Sequence, residues 1–137
     1  MIVVDASFLA GAIFEEDYTR FARDIIANQQ DGLTAPALLT WELSNIVWKK
    51  CRRGLIDAAD IPDFVAIYAT FDVALAKLPD LDELGELTVM AVERDLTAYD
   101  AAYFRLAVMQ GFPLATLDRD MAKAGRAAGL IVHSPFA

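Results

Sequence analysis

The sequence predicts an α/β fold in which a mainly parallel sheet carries helices on both faces. Three observations predict it. The chain opens on Ile2-Val3-Val4, an apolar run that reads as a strand covered on both sides. Strand-like runs and segments of helical periodicity then alternate to the end of the chain. Its 137 residues are 56% hydrophobic, with no internal repeat, low-complexity stretch or linker. One domain over residues 1–137, with a substantial core, is therefore expected.

Residues 2–5 form the first strand. Ser7 is placed to cap a short helix through Phe14, and Asp17 to cap a second through about Asn28. "GLTAP" reads as a short strand, with Pro36 opening a longer helix. That helix carries "ALLTWELSNIVWKKCRR" and stops at Gly54. Asp57 or Asp60 opens the next, where Ile61, Phe64, Val65 and Tyr68 recur at helical spacing. "DVALAKL" alternates like a strand. "LDELGELTVMAVERD" reads as a helix despite Gly85, and "TAYDAAYFRLAVMQG" as another that ends at Gly111. "PLAT" is a buried strand, "DRDMAKAGRAAG" a helix and "LIVH" a final strand.

Composition narrows the function classes. No apolar run reaches the ~18–20 residues that cross a bilayer. The first residues lack a basic segment and meet Asp5 early, so no signal peptide and no membrane association are expected. The single cysteine, Cys51, has no partner for an internal disulfide, which fits a cytoplasmic location. A net charge of −8 opposes broad, unaided nucleic-acid binding, although a local basic patch or bound cations can reverse the sign at one place.

The carboxylates carry the functional signal. Asp5 ends the first strand, Asp118 follows "PLAT" closely, and Asp100 lies in the first turn of its helix. In a parallel sheet, strand C-termini and the N-termini of the following helices share one edge, where ligands bind. Asp5, Asp100 and Asp118 are therefore expected to converge, with Glu42 reaching in from the long helix. Each also has an ordinary explanation. Asp5 and Asp118 are reasonable N-caps, Thr97 and Asp100 have capping-box spacing, and Glu42 suits a solvated face. Caps alone do not explain why acids recur at the ends of separate buried strands.

The helix around Glu42 adds a second pattern. Asn45, Ile46, Lys49 and Arg53 fall within about 60° of Glu42 on a helical wheel. A solvated face is one reading. The other is a strip that leads a phosphate backbone toward the acids, with Asn45, Lys49 and Arg53 as its contacts. Trp41, Ser44, Trp48, Cys51 and Leu55 form another stripe, expected in the core or at a subunit contact.

Clustered carboxylates without a Cys/His set suit hard cations such as Mg²⁺ or Mn²⁺. Such ions activate water and stabilise a leaving oxygen in phosphodiester hydrolysis. The lone His133 is a weak basis for zinc chemistry. Ser7 has no evident histidine partner and no G-x-S-x-G surrounds it. No glycine-rich phosphate loop is present.

"IVVDAS", "WELSN", "LTAYDAAY" and "ATLDRDM" together make the chain resemble the PIN-domain ribonucleases, and more narrowly the VapC toxins of toxin–antitoxin pairs. The resemblance runs through essentially the whole chain in order. It implies a PIN-like parallel sheet and Mg²⁺- or Mn²⁺-dependent endonucleolytic cleavage of RNA. It also implies a cognate VapB-like antitoxin whose C-terminal segment blocks the site. Asp5, Glu42, Asp100 and Asp118 match the family's four acids, as catalytic and metal-binding residues, and Asp120 competes with Asp118 for the fourth place. Ser7 and Thr116 match small hydroxyl residues that support the acids.

Other readings differ in what they need. A haloacid-dehalogenase-type phosphatase wants a second Asp two residues after Asp5, where Ser7 stands. A receiver-like phosphoacceptor wants paired acids near the first strand and a late strand-end Lys, and neither is evident. A catalytically inactive PIN-like module that binds RNA or protein remains the alternative. A homodimer is expected from the Trp41/Trp48 stripe and the face Ile61, Phe64, Val65 and Tyr68.

Overall fold

The computed structural model describes residues 1–14 and 17–137. Its sheet is made of β1 (Ile2–Val4), β2 (Leu33–Pro36), β3 (Ala74–Ala76), β4 (Leu114–Ala115) and β5 (Val132–His133). Their order is β3-β2-β1-β4-β5, and every neighbouring pair is parallel. The chain builds outward from β1 to β2 and β3, then returns to the other side of β1 for β4 and β5. The order thus reverses at β1, and in open parallel sheets the crevice beyond the strand ends at such a reversal is the usual ligand site. Register places Val4 beside Ala115, so β1 and β4 leave the sheet together.

Seven α-helices connect these strands among the described residues: α1 (Ala6–Ile13), α2 (Thr19–Asn28), α3 (Leu39–Arg52), α4 (Ile61–Thr70), α5 (Leu84–Arg94), α6 (Ala98–Gln110) and α7 (Arg119–Ala127). Helix α1 packs with α2, α3 and α4, while α6 crosses β1 and β2 and packs with α5 and α7. The strands are short and apolar because both faces are covered: Val3, Val4, Leu33, Ala35, Leu114 and Ala115 are wholly buried. Phe8, Leu9, Tyr103, Phe104 and Met121 pack on them from the helices. Arg105 of α6 clips α5 through ion pairs to Glu83 at 2.9 Å and Glu86 at 3.2 Å.

Several local expectations need correction. The cap of α1 is Asp5, not Ser7, because Ser7 spends its hydroxyl on contacts outside the helix. Tyr18, not Asp17, precedes α2. Pro36 closes β2 instead of opening α3, which starts at Leu39, since its fixed φ also suits the end of a strand. Val65 is 59% exposed and does not share the buried face of α4, where Ile61, Phe64 and Tyr68 are partly buried and Phe64 packs on Phe14 at 4.7 Å between ring centroids. Trp41 and Trp48 are 77% and 55% exposed, so of the two places expected for them the core is excluded. The α3 side that packs inward is instead Leu39, Leu43, Ile46 and Val47. Among the described residues no helix is long and apolar enough to cross a membrane.

Candidate active site

The site begins where β1 runs out. Val4 is buried, and the next residue, Asp5, is 5% exposed in extended backbone as the N-cap of α1. Its Oδ1 accepts from the Phe8 backbone N–H at 2.8 Å and from the Ser7 hydroxyl at 2.7 Å. Its Oδ2 accepts from the Thr116 hydroxyl, which comes from the segment after β4. The register of β1 and β4 is what brings Thr116 there, and the backbone N–H of Asp5 donates to Ala115 at 3.3 Å.

One further bond ties the segment after β4 to α1, and another braces that segment internally. The Leu117 N–H donates to Ser7 Oγ at 3.0 Å, and the Asp118 N–H donates to Thr116 Oγ1 at 3.0 Å. Thr116 is wholly buried, so its hydroxyl both accepts from Asp118 and donates to Asp5. Gly11 permits the close approach: a Cβ there would collide with the Leu117 side chain. Asp118 then caps α7, accepting from the Met121 N–H at 2.8 Å. Asp5 and Asp118 are therefore caps in fact, yet their two caps stand side by side at one sheet edge.

Asp100 lies in the first turn of α6, whose N-cap Thr97 accepts from the Asp100 N–H at 3.1 Å. Glu42 lies in the first turn of α3 and is half-buried. Proton affinities show that these acids share one environment. Burial, opposed by the three hydrogen bonds and reinforced by Asp118, pushes Asp5 from 3.8 up to about 6. Burial, then the charges of Asp118 and Asp120, raises Asp100. Burial, then the charge of Asp100, raises Glu42. No cation is among the groups acting on these three. Asp118 acts on both Asp5 and Asp100, and Asp120 on Asp100 alone.

Asn45, Lys49 and Arg53 are exposed. At 1.5 Å rise per residue, Lys49 and Arg53 stand roughly 10 and 16 Å from Glu42 along α3. Neither makes an ion pair among the described residues, and Arg52 stacks on Trp48 at 5.4 Å. Sequence reasoning missed two residues. Tyr103 follows Asp100 by three positions on α6, so helical spacing alone puts both on one face. Arg119 adjoins Asp118 and stacks 3.9 Å over the ring of Phe136.

The donor set is all oxygen, as hard cations require. Uncompensated negative charge at a buried edge, with Glu42 Oε1 lacking a hydrogen-bond partner, also fits a cation. Among the described residues no three of the acids form a ready ligand cage. Mg²⁺ does not demand one, because it commonly binds through one or two carboxylates and keeps several waters. The residues present therefore fit Mg²⁺ or Mn²⁺, held by some of Asp5, Glu42, Asp100 and Asp118.

Comparison with known proteins places this geometry. The PIN domain family matches residues 2–127. Ribonuclease VapC3 of Pyrobaculum aerophilum is 32% identical over 122 residues, which is 89% of this chain and 92% of that protein. The crystal structure of PAE2754 from the same organism superposes with a TM-score of 0.70 at 29% identity, covering 96% of this chain and 89% of that one. The Mycobacterium tuberculosis VapC20 structure, described as a sarcin-ricin loop cleaving toxin, gives a TM-score of 0.71 over 96% of this chain and 97% of that one. Its 20% identity speaks to the fold alone.

Proposed function

Because the chain belongs to the PIN-domain family, in its VapC branch, we propose that it is a Mg²⁺- or Mn²⁺-dependent endoribonuclease and the toxin of a VapBC-type pair. The observation that carries the proposal is the buried Asp5 carboxylate at the sheet reversal. It is gripped by Ser7, Thr116 and the Phe8 N–H, and the charge acting on it is that of Asp118. When bound there, a divalent ion supplies charge neutralisation and a water acidic enough to attack phosphorus. The protein's own groups do the rest. Ser7 and Thr116 hold Asp5 in one rotamer, and the cap to Phe8 fixes it against α1. Asp118 is held in place by its cap to Met121. Burial makes Glu42 and Asp100 bind protons more readily than free carboxylates, so a bound cation would relieve charge at both. Burial of Thr116 and the close packing of Leu117 on Gly11 keep bulk water from the back of the centre.

The partners follow from the same reading. RNA is the substrate, and Asn45, Lys49 and Arg53 contact its backbone. A VapB-like antitoxin covers the acidic edge. A homodimer buries the exposed Trp41, Trp48 and Leu55. The alternative is a catalytically inactive PIN-like module that binds RNA or protein. Cleavage of RNA after chelation and Mg²⁺ add-back, with Asp5→Asn alongside, separates the two. The nuclease reading expects cleavage restored by Mg²⁺ in the wild type and absent in the variant. RNA binding without cleavage at any Mg²⁺ or Mn²⁺ concentration would establish the module instead.

A further inference from the structure

Among the described residues, two buried side-chain polar atoms complete no hydrogen bond: Glu42 Oε1 and the Tyr103 hydroxyl. They are not scattered. Each acts on the other's proton affinity as a donor–acceptor neighbour, Tyr103 lowering Glu42 and Glu42 raising Tyr103, so the two side chains stand within reach of one another. Tyr103 is 1% exposed, and its hydroxyl also feels Asp5 and Asp100, so it points at the acidic edge from the protein side. A phenol used only as core filler has no need of its oxygen; phenylalanine would fill the same space without burying an unpaired donor. Buried polar groups left unpaired are rare enough in native proteins that each calls for a reason.

We propose that Tyr103 is a positioning residue for Glu42: its hydroxyl donates to the buried Oε1 and aims the carboxylate at the acidic centre. The terminal torsion of a glutamate is soft, so the carboxylate can turn to accept from the hydroxyl. The topology explains why a tyrosine on α6 can do this. Asp100 and Tyr103 are one helical turn apart, so the same rigid element supplies one acid and orients another that comes from α3. Groups that hold metal-binding carboxylates from behind commonly change metal affinity or activity by ten- to hundred-fold when lost. The inference rests on the nuclease reading above.

The test uses Tyr103→Phe, Glu42→Gln and the double variant, each measured three ways. Thermal unfolding of chelated protein reads stability, calorimetric titration with Mn²⁺ reads affinity, and single-turnover cleavage of a labelled RNA reads rate. Tyr103→Phe is expected to melt within a few degrees of the wild type, because it keeps the buried ring and gives up a single hydroxyl. It is expected to bind Mn²⁺ roughly ten-fold more weakly and to cleave roughly ten-fold more slowly. Added to Glu42→Gln, it should change neither quantity further, since it acts through Glu42. Wild-type affinity and rate in Tyr103→Phe would overturn the proposal. So would a loss that adds in full to that of Glu42→Gln. A markedly lower melting temperature, with Mn²⁺ affinity unchanged in the folded fraction, would make Tyr103 a structural residue and overturn it as well. A wild type that neither binds Mn²⁺ nor cleaves RNA sinks the nuclease reading itself. An active wild type matched by Tyr103→Phe sinks only this one.

Discussion

Asp5→Asn should stabilise the chelated protein at neutral pH while leaving it inert. The unfolded chain releases the Asp5 proton near 3.8, whereas the folded protein keeps it until about 6. Between those values the folded state binds more protons, so stability from this group is full below 3.8 and is lost as pH rises through 6. The complete penalty is roughly 3 kcal/mol, at about 1.4 kcal/mol per tenfold change in proton affinity. About 2 kcal/mol of it should appear between pH 4.5 and 7.5. Asn keeps an acceptor for Phe8 and Ser7 but turns an N–H toward Thr116, whose hydroxyl must find another acceptor. That mismatch costs about 1 kcal/mol at both pH values. At roughly 4 °C per kcal/mol for a domain of this size, the melting temperature of Asp5→Asn relative to wild type should rise by about 8 °C from pH 4.5 to 7.5. Glu42 and Asp100 are shifted the same way, but they are present in both proteins and cancel in the difference. Differential scanning calorimetry in chelator at the two pH values makes the measurement. A difference that stays flat with pH would refute the idea that burial holds Asp5 in a strained charge state.

Thr116→Val should push Asp5 further up, because the Thr116 hydroxyl is the strongest group holding it down. It should also lower stability at pH 7.5 by about 1–3 kcal/mol, since Asp118 loses an acceptor too; carboxyl NMR titration and thermal unfolding read the two effects. Lys49→Ala/Arg53→Ala in an Asp5→Asn background should weaken binding to cleavable and non-cleavable RNAs alike. The salt slope should fall by roughly 0.7 per lost contact, while unchanged affinity and slope in a filter-binding salt series would return both residues to the solvated surface. Trp41→Glu/Trp48→Glu should leave the fold intact, since both side chains are exposed, and convert a dimer to a monomer by light scattering. A monomeric wild type at micromolar concentration would remove the dimer from the account.

Much of the frame is legible in the sequence because it depends on local signals. The apolar strands, Gly111 in left-handed conformation at the end of α6 and the alternation of β3 all follow from short-range rules. Asp5 and Asp118 follow β1 and β4 directly, so the parallel topology alone puts them at one edge, whereas Asp100 opens a helix that follows another helix. What the sequence hides depends on partners distant along the chain. Ser7 looks like a cap until Leu117, 110 residues later, is seen to use its hydroxyl. The two tryptophans read as core or a subunit contact, and in the single chain α3 buries Leu39, Leu43, Ile46 and Val47 instead. Tyr103 was hidden because its significance lies in its meeting with Glu42, and nothing local joins α6 to α3.

Single-turnover cleavage of one labelled RNA across a Mg²⁺ titration, by wild type, Asp5→Asn and Asp100→Asn, tests the central claim most directly. The account predicts no cleavage in chelator, a wild-type rate that rises and saturates with Mg²⁺, and a loss on the order of 10²–10³ in each folded variant, the scale expected when a group that stabilises charge at the reacting centre is removed. Undiminished cleavage in chelator, or a folded Asp5→Asn that cleaves at the wild-type rate, would contradict it.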